Sequence, residues 1–202
     1  MDLLIVVIIG YLIGSVPFAY VIGKVFYRTD VREHGSGNLG GSNTGRVLGK
    51  KAGVSVMALD LLKVTLSVFL AMKISTHPWN IACGALAAAI GHCFPIYVRF
   101  RGGKAVAALY GFLFSLWVCA GYSALIFFLP LAFYLAVLTA GKIVSLASIL
   151  SSVFAVICTC IFRVHPSIIF AAIVFSILII VRHHENIRRM LSGTERKIQW
   201  MK

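Results

Sequence analysis

Long apolar runs separated by short polar islands rich in glycine organise this chain. Seven runs approach the length a helix needs to cross a bilayer, about 20 residues at 1.5 Å rise over roughly 30 Å of hydrocarbon. They cover residues 3–23, 53–72, 79–98, 105–121, 123–140, 144–161 and 165–181. The fourth and fifth form one continuous apolar stretch, too long for a single helix in a bilayer, and divide at Ala120, Gly121 and Tyr122. The first run is too long for a cleaved signal peptide and lacks its basic start, so it is expected to stay as a mature helix. The pattern predicts an all-α, polytopic integral membrane protein with about seven transmembrane helices in a single domain over residues 1–202. Composition agrees: 60% of residues are hydrophobic and 12% charged, and the mean hydropathy of +0.95 lies far outside the range of a soluble domain.

Charge then orients the chain, because Lys and Arg in short connections resist translocation. One side collects Lys24, Arg28, Arg32, Arg46, Lys50, Lys51, Arg99, Arg101, Lys104, Lys142, Arg182, Arg188, Arg189, Arg196, Lys197 and Lys202, and the other holds only Lys73 and Arg163. This bias predicts an N-terminus outside and a C-terminus in the cytoplasm, with the polar islands on the cytoplasmic face. Part of the net charge of +13 is this rule at work, with anionic headgroups as counterions. Nucleic acid is excluded as a partner, since a basic nucleic-acid surface comes with a soluble module and no soluble stretch here exceeds about thirty residues.

The islands carry the chemistry. Residues 35–46 (GSGNLGGSNTGR) hold five glycines interleaved with Ser36, Asn38, Ser42, Asn43 and Thr44. Glycine lets successive N–H groups converge on an anion, hydroxyls and amides add donors, and Arg46 supplies a planar fork suited to phosphate. The spacing is neither a Walker nor a Rossmann loop, and the plain alternative is a flexible connector. Residues 91–104 (GHCFPIYVRFRGGK) end one span at Gly91 and His92, break at Pro95, and place Gly102, Gly103 and Lys104 at the mouth of the next helix, a second grip for an anion. A snorkelling Lys104 and a structural His92 are the plain alternatives. In residues 182–195 (RHHENIRRMLSGTE), His183 and Asn186, and Arg182 and Asn186, share a face if the last span continues as a helix beyond the interface. His183 can exchange protons near neutrality, and Asn186 can orient a hydroxyl. Arg188, Arg189, Arg196 and Lys197 are expected to be solvated or to touch headgroups.

Other features count for less. Asp60 and Lys63, three apart within a span, are expected to pair with each other. Ser145 and Ser148 face one direction at the start of the sixth span. Gly10, Gly14, Ser15 and Pro17 let the first helix kink and pack closely. Cys83, Cys93, Cys119, Cys158 and Cys160 form neither a zinc spacing nor a disulfide frame, and six scattered acidic residues make no magnesium or calcium site. No metal and no cofactor are expected.

Taken together, these islands resemble the signature blocks of the bacterial PlsY family, the acyl-phosphate-dependent glycerol-3-phosphate acyltransferases. The run Ser15, Val16, Pro17, Phe18 is similar to the family's first-span pattern, and Gly35, Ser36, Gly37 and Asn38 with Asn43 and Arg46 to its first motif. Gly91, His92, Phe94, Pro95, Phe100, Gly102, Gly103 and Lys104 resemble the second. His183, Glu185, Asn186, Ile187, Arg189, Gly193, Thr194 and Glu195 resemble the third. None of the six histidines has an aspartate five positions later, so the histidine–aspartate mechanism of the common acyl-CoA enzymes is not available.

The resemblance implies acyl transfer from a long-chain acyl phosphate to the sn-1 hydroxyl of glycerol 3-phosphate, at the cytoplasmic face of a bacterial inner membrane. It implies membrane lipid as surroundings and a contact with the soluble enzyme that makes acyl phosphate. Lys104, His183 and Asn186 are the expected catalytic residues. Ser36, Gly37, Asn38, Gly40, Gly41, Asn43, Arg46, His92, Gly102, Gly103 and Ser145 are the expected substrate-binding residues. Arg46, Lys104, Ser145, His183 and Asn186 would hold glycerol 3-phosphate, and the first island the leaving phosphate. The family is thought to lack a conventional base, which places a substrate phosphate oxygen ahead of His183 as proton acceptor. An organophosphate transporter is the rival reading, but transporters gather polar groups near the midplane, where this chain offers only Asp60 and Lys63. A lipid-synthesis scaffold would leave the islands unexplained.

Overall fold

The computed structural model describes residues 1–198, and Lys202, counted above with the basic side, lies outside them. Among the described residues ten α-helices and two short 3₁₀ turns make up the regular structure. α1 (Asp2–Gly14) and α2 (Phe18–Tyr27) form one broken rod, followed by a 3₁₀ turn Val31–Glu33, the short α3 (Gly41–Leu48), α4 (Lys50–Ile74) and α5 (Pro78–Cys93). A second 3₁₀ turn, Ile96–Val98, leads to α6 (Val106–Val118), α7 (Leu125–Gly141), α8 (Val144–Ile161), α9 (Pro166–Arg182) and α10 (His184–Leu191).

Among the described residues four helices are long and apolar enough to cross a membrane: Asp2–Tyr27, Lys50–Ile74, Pro78–Val98 and Val144–Ile161. A fifth crossing is available if α9 and α10, bent by 58° at their junction, count as one. Of the seven spans expected from hydropathy, four or five meet the length for a crossing, while α6 and α7 are apolar but shorter, at 13 and 17 residues. Large hydrophobics such as Leu4, Phe26, Ile161 and Val181 stand exposed around the bundle, which water would penalise and lipid does not.

Alanine-rich α5 forms the middle of the bundle, packed against α1, α4 and α9, with Ala82, Ala85, Ala88 and Ala89 fully buried. Its contact with α1 depends on small residues: a Cβ at Gly14 would lie 2.1 Å from the Ala88 carbonyl oxygen, so the backbones approach as closely as glycine permits. Farther on, Phe112 of α6 stacks on Phe175 of α9 at 5.3 Å between ring centroids. Two helices begin with the same signature. His77 before Pro78 accepts from the Trp79 N–H through Nδ1, and His165 before Pro166 does the same for Ser167, each at 3.3 Å. Proline suits the first helical position because no intrahelical acceptor awaits its missing N–H, and the preceding side chain caps the next donor.

Alternation along the bundle brings the start of α4, the end of α5, the start of α6, the α7–α8 turn and the end of α9 to one end of the molecule. Within the bundle, the Asp60 carboxylate meets the Lys63 ammonium at 2.7 Å. The same ammonium donates to the Val16 carbonyl at 2.8 Å, a group freed where Pro17 interrupts the α1–α2 rod.

Candidate active site

The loop between α5 and α6 is shaped by its own backbone. Arg99 and Phe100 adopt left-handed conformations, φ 57° and 59°, and the Gly103 N–H returns to the His92 carbonyl at 2.9 Å. Arg182, at the end of α9, donates from Nε to the Gly103 carbonyl at 3.1 Å and from Nη2 to the Gly102 carbonyl at 3.3 Å. Its guanidinium also lies over the Phe94 ring, 5.1 Å from the centroid. The second and third islands are therefore clamped together, and Lys104 is delivered half-buried at the entrance to α6.

There the Lys104 ammonium donates to the Asn186 amide oxygen. Asn186 Nδ2 in turn donates to Glu195 Oε1 at 2.5 Å, and the Ser145 hydroxyl to the same oxygen at 2.8 Å. Arg189 Nε reaches Glu195 Oε2 at 2.7 Å. The carboxylate is brought back by a turn after α10, where Gly193 takes φ 70° and the Thr194 N–H bonds the Arg189 carbonyl at 2.8 Å. Beyond it, the Ile198 N–H ties the chain to the Lys142 carbonyl at 2.8 Å. Burial alone would raise the Glu195 pKa, but donors from Asn186, Arg189 and Ser145 hold it below the usual carboxylate value. Burial, and then the charge of Arg189, lower that of Lys104.

His183 stands at the α9–α10 junction, 4% exposed. The last span does not run on as a straight helix, the condition under which His183 and Arg182 would share a face with Asn186, but bends by 58° into α10. At the bend the His183 N–H bonds the Ile179 carbonyl at 3.0 Å, and the imidazole Nδ1 lies 2.8 Å from the same oxygen four residues back. A carbonyl only accepts, so Nδ1 carries the proton and Nε2 keeps the lone pair. Burial pushes the pKa down to about 4, against the Ile179 hydrogen bond and with the Lys104 charge in support. Near neutrality the ring is uncharged and offers one acceptor.

The first island folds around Asn43. Its amide oxygen accepts from the Ser36 N–H at 2.8 Å, and its amide nitrogen donates to the carbonyls of Val31 and His34 at 2.9 and 3.1 Å. Gly35 and Gly37 take φ 66° and 68°, conformations that glycine adopts without strain. Asn43, named above as a substrate contact, thus has its polar atoms committed to the loop itself. Gly40 caps α3, and Gly41 lies in its first turn, where N–H groups have no intrahelical acceptor. Gly41 also packs closely, since a Cβ there would lie 2.7 Å from the Gly53 carbonyl. Ser36 and Arg46 are exposed and Asn38 half-exposed, and Arg46 forms no hydrogen bond or ion pair among the described residues. The island joins the second one through apolar contact: Val31, Leu39, Ala52, Val56 and Val98 share one cluster.

Of the expected site residues, Lys104, Ser145 and Asn186 meet in one hydrogen-bonded group, with His183 close enough for the Lys104 charge to bear on its pKa. His92 lies deeper, its Nδ1 3.5 Å from Asp60 Oδ1 and its ring beneath Gly103. Three contributors are not among the expected site residues. Arg182 clamps the glycine turn, Arg189 binds Glu195 rather than being merely solvated, and Glu195 gathers the donors. A carboxylate set among Arg188, Arg189, Arg196 and Lys197 was the available signal for the last.

Residues 4–193 match the family model described as glycerol-3-phosphate acyltransferase. The chain is 42% identical to the glycerol-3-phosphate acyltransferase of Geobacillus kaustophilus over 195 residues, covering 96% of this chain and 95% of the relative. It is 42% identical to that of Macrococcus caseolyticus over 204 residues, covering all of both. Its fold is similar to two crystal structures of PlsY (YgiH), an integral membrane glycerol 3-phosphate acyltransferase. The glycerol 3-phosphate form gives a TM-score of 0.90 at 36% identity, covering 98% of this chain and 96% of that one. The lysophosphatidic acid form gives 0.88 at 35%, with the same coverage.

Proposed function

We propose, for a chain that belongs to the PlsY-type glycerol-3-phosphate acyltransferase family, that the acyl donor is a long-chain acyl phosphate and the acceptor the sn-1 hydroxyl of glycerol 3-phosphate. The products are 1-acylglycerol 3-phosphate and inorganic phosphate, an early step of phospholipid synthesis. The reaction takes place at the cytoplasmic face of a bacterial inner membrane, with the N-terminus outside, where the soluble enzyme making the donor can reach the site. The observation that carries this reading is the convergence of Ser145, Asn186 and Arg189 on one carboxylate, with Lys104 joined to the group through the Asn186 amide oxygen, from the starts of α6 and α8 and from α10. A group of donors that gathers a carboxylate is equally suited to a phosphate.

Acyl phosphate is a mixed anhydride, so orientation and charge neutralisation supply most of the acceleration. The hydroxyl oxygen bonds to the carbonyl carbon, the bond from that carbon to the bridging oxygen breaks, and phosphate departs with the electron pair. Arg46, Lys104, Ser145, His183 and Asn186 hold the glycerol 3-phosphate. Ser36, Gly37, Asn38, Gly40 and Gly41, at the entrance to α3, receive the leaving phosphate. His183 Nε2 accepts a hydrogen bond from the substrate hydroxyl and orients it. With its pKa drawn down to about 4 it is a poor base, so the proton passes to a phosphate oxygen. In support, one solved relative is a glycerol 3-phosphate form and another a lysophosphatidic acid form.

Purified protein incubated with palmitoyl phosphate and glycerol 3-phosphate in the presence of a chelator is expected to form lysophosphatidate. Liposomes containing it are expected to show no flux of labelled glycerol 3-phosphate. Flux without product would overturn the reading.

A further inference from the structure

We propose that Asp60 and Lys63 are positioning residues for the glycerol 3-phosphate site, acting through His92 on the turn that carries Lys104. The proposal rests on the reading above that this turn serves the acceptor's phosphate.

Two opposite charges 2% and 5% exposed in the middle of α4 are costly in a membrane and poor devices for stability alone, since apolar residues would fill the same space at less cost. Their contacts extend well beyond the pair. Lys63 bridges Asp60 at 2.7 Å and the Val16 carbonyl at 2.8 Å, which fixes the ammonium between α4 and the α1–α2 break. Asp60 Oδ1 faces His92 Nδ1 at 3.5 Å, setting the direction in which the imidazole points. The far side of that ring supports the glycine turn: a Cβ at Gly103 would fall 2.0 Å from His92 Nε2, so only glycine fits over it. The His92 carbonyl also accepts the Gly103 N–H at 2.9 Å.

The turn is thus held from two sides. Arg182 takes the carbonyls of Gly102 and Gly103 from above, and the His92 ring lies beneath. Lys104 follows immediately, and its ammonium reaches Asn186. Every link from the partly buried Val16 through buried Lys63, Asp60 and His92 to Gly103 is a direct contact. Rotation of the imidazole would therefore shift the backbone from which Lys104 projects. Supporting shells of this kind set the aim of a binding group, and misplacement by about 1 Å costs on the order of a hundredfold in activity.

The test is a thermodynamic cycle in detergent-solubilised protein, reading glycerol 3-phosphate affinity by calorimetry and stability by thermal unfolding. The paired variant Asp60→Asn/Lys63→Met leaves no lone buried charge and is expected to unfold within about 3 °C of the wild type while binding glycerol 3-phosphate about tenfold more weakly. His92→Ala is expected to weaken binding by a similar factor, and all three changes together by little more than either alone, because residues acting in one chain are not additive. Affinity of the paired variant within twofold of the wild type, or losses that multiply, would overturn the proposal. Should the paired variant not fold, Asp60→Glu, which keeps the charge and displaces it by one methylene, takes its place, with the same expected loss and the same overturning result. A wild-type protein that does not bind glycerol 3-phosphate would overturn this proposal together with the site reading, whereas normal wild-type binding with an unaffected variant overturns this one alone.

Discussion

The imidazole of His183 enters acid solution differently when the chain is folded and when it is not. Its pKa is about 4 in the fold, against an ordinary 6.5. Between these values the unfolded chain binds a proton that the folded one refuses, so stability rises with pH across the window and is lost as pH falls from 6.5 toward 4. Glu195, held below its ordinary value, adds a loss of the same sign further into acid. Thermal unfolding in detergent between pH 7 and 4.5 is expected to show Tm falling with acid, and His183→Asn to flatten the part of that fall between pH 6.5 and 5. An unchanged slope in the variant would place the imidazole in water. Sequence named His183 and Lys104 from their neighbours. It could not supply the tautomer or the depressed pKa, because both depend on a carbonyl and a degree of burial that appear only when α9 is packed.

At the scale of helices, proline and glycine were the readable signs. Pro17 interrupts the first rod, and the long apolar stretch breaks between Val118 and Leu125 around Gly121. The bend at His183 had no such sign, since neither residue type occurs between Pro166 and Ser192. There the His183 imidazole joins its own N–H on the Ile179 carbonyl, an arrangement that depends on rotamer and surroundings. The glycine-rich island suggests a phosphate cradle or a flexible connector, whereas its second half forms the helix α3, and Gly41, Gly45 and Gly53 let that helix lie directly on α4. The α1–α5 contact gives a test at this scale. Gly14→Leu places its Cβ where only 2.1 Å separates it from the Ala88 carbonyl oxygen. The two helices must part, with an expected loss of about 1–3 kcal/mol, seen as a lower midpoint for thermal unfolding in detergent. A midpoint equal to that of the wild type would contradict the close approach.

Across the whole molecule, the residues of the polar islands were legible as phosphate chemistry, but their manner of meeting was not. Polar contact joins the second and third islands, through Arg182 on the glycine turn and Lys104 on Asn186. The first island arrives by burying Leu39 in one apolar cluster with Val98, a junction that no phosphate-binding pattern foretells. Hydropathy marks seven apolar runs, of which four or five among the described residues form helices long enough to cross. The central claim is that islands distant in sequence serve one phosphate. Its most direct test is a cycle of Arg46→Gln and Lys104→Met in glycerol 3-phosphate affinity measured by calorimetry. Groups holding the same phosphate are expected to be coupled by about 1–3 kcal/mol, with each single change weakening binding and the pair weakening it by less than the sum. Losses that add to within about 0.3 kcal/mol, or an affinity indifferent to Arg46, would contradict it.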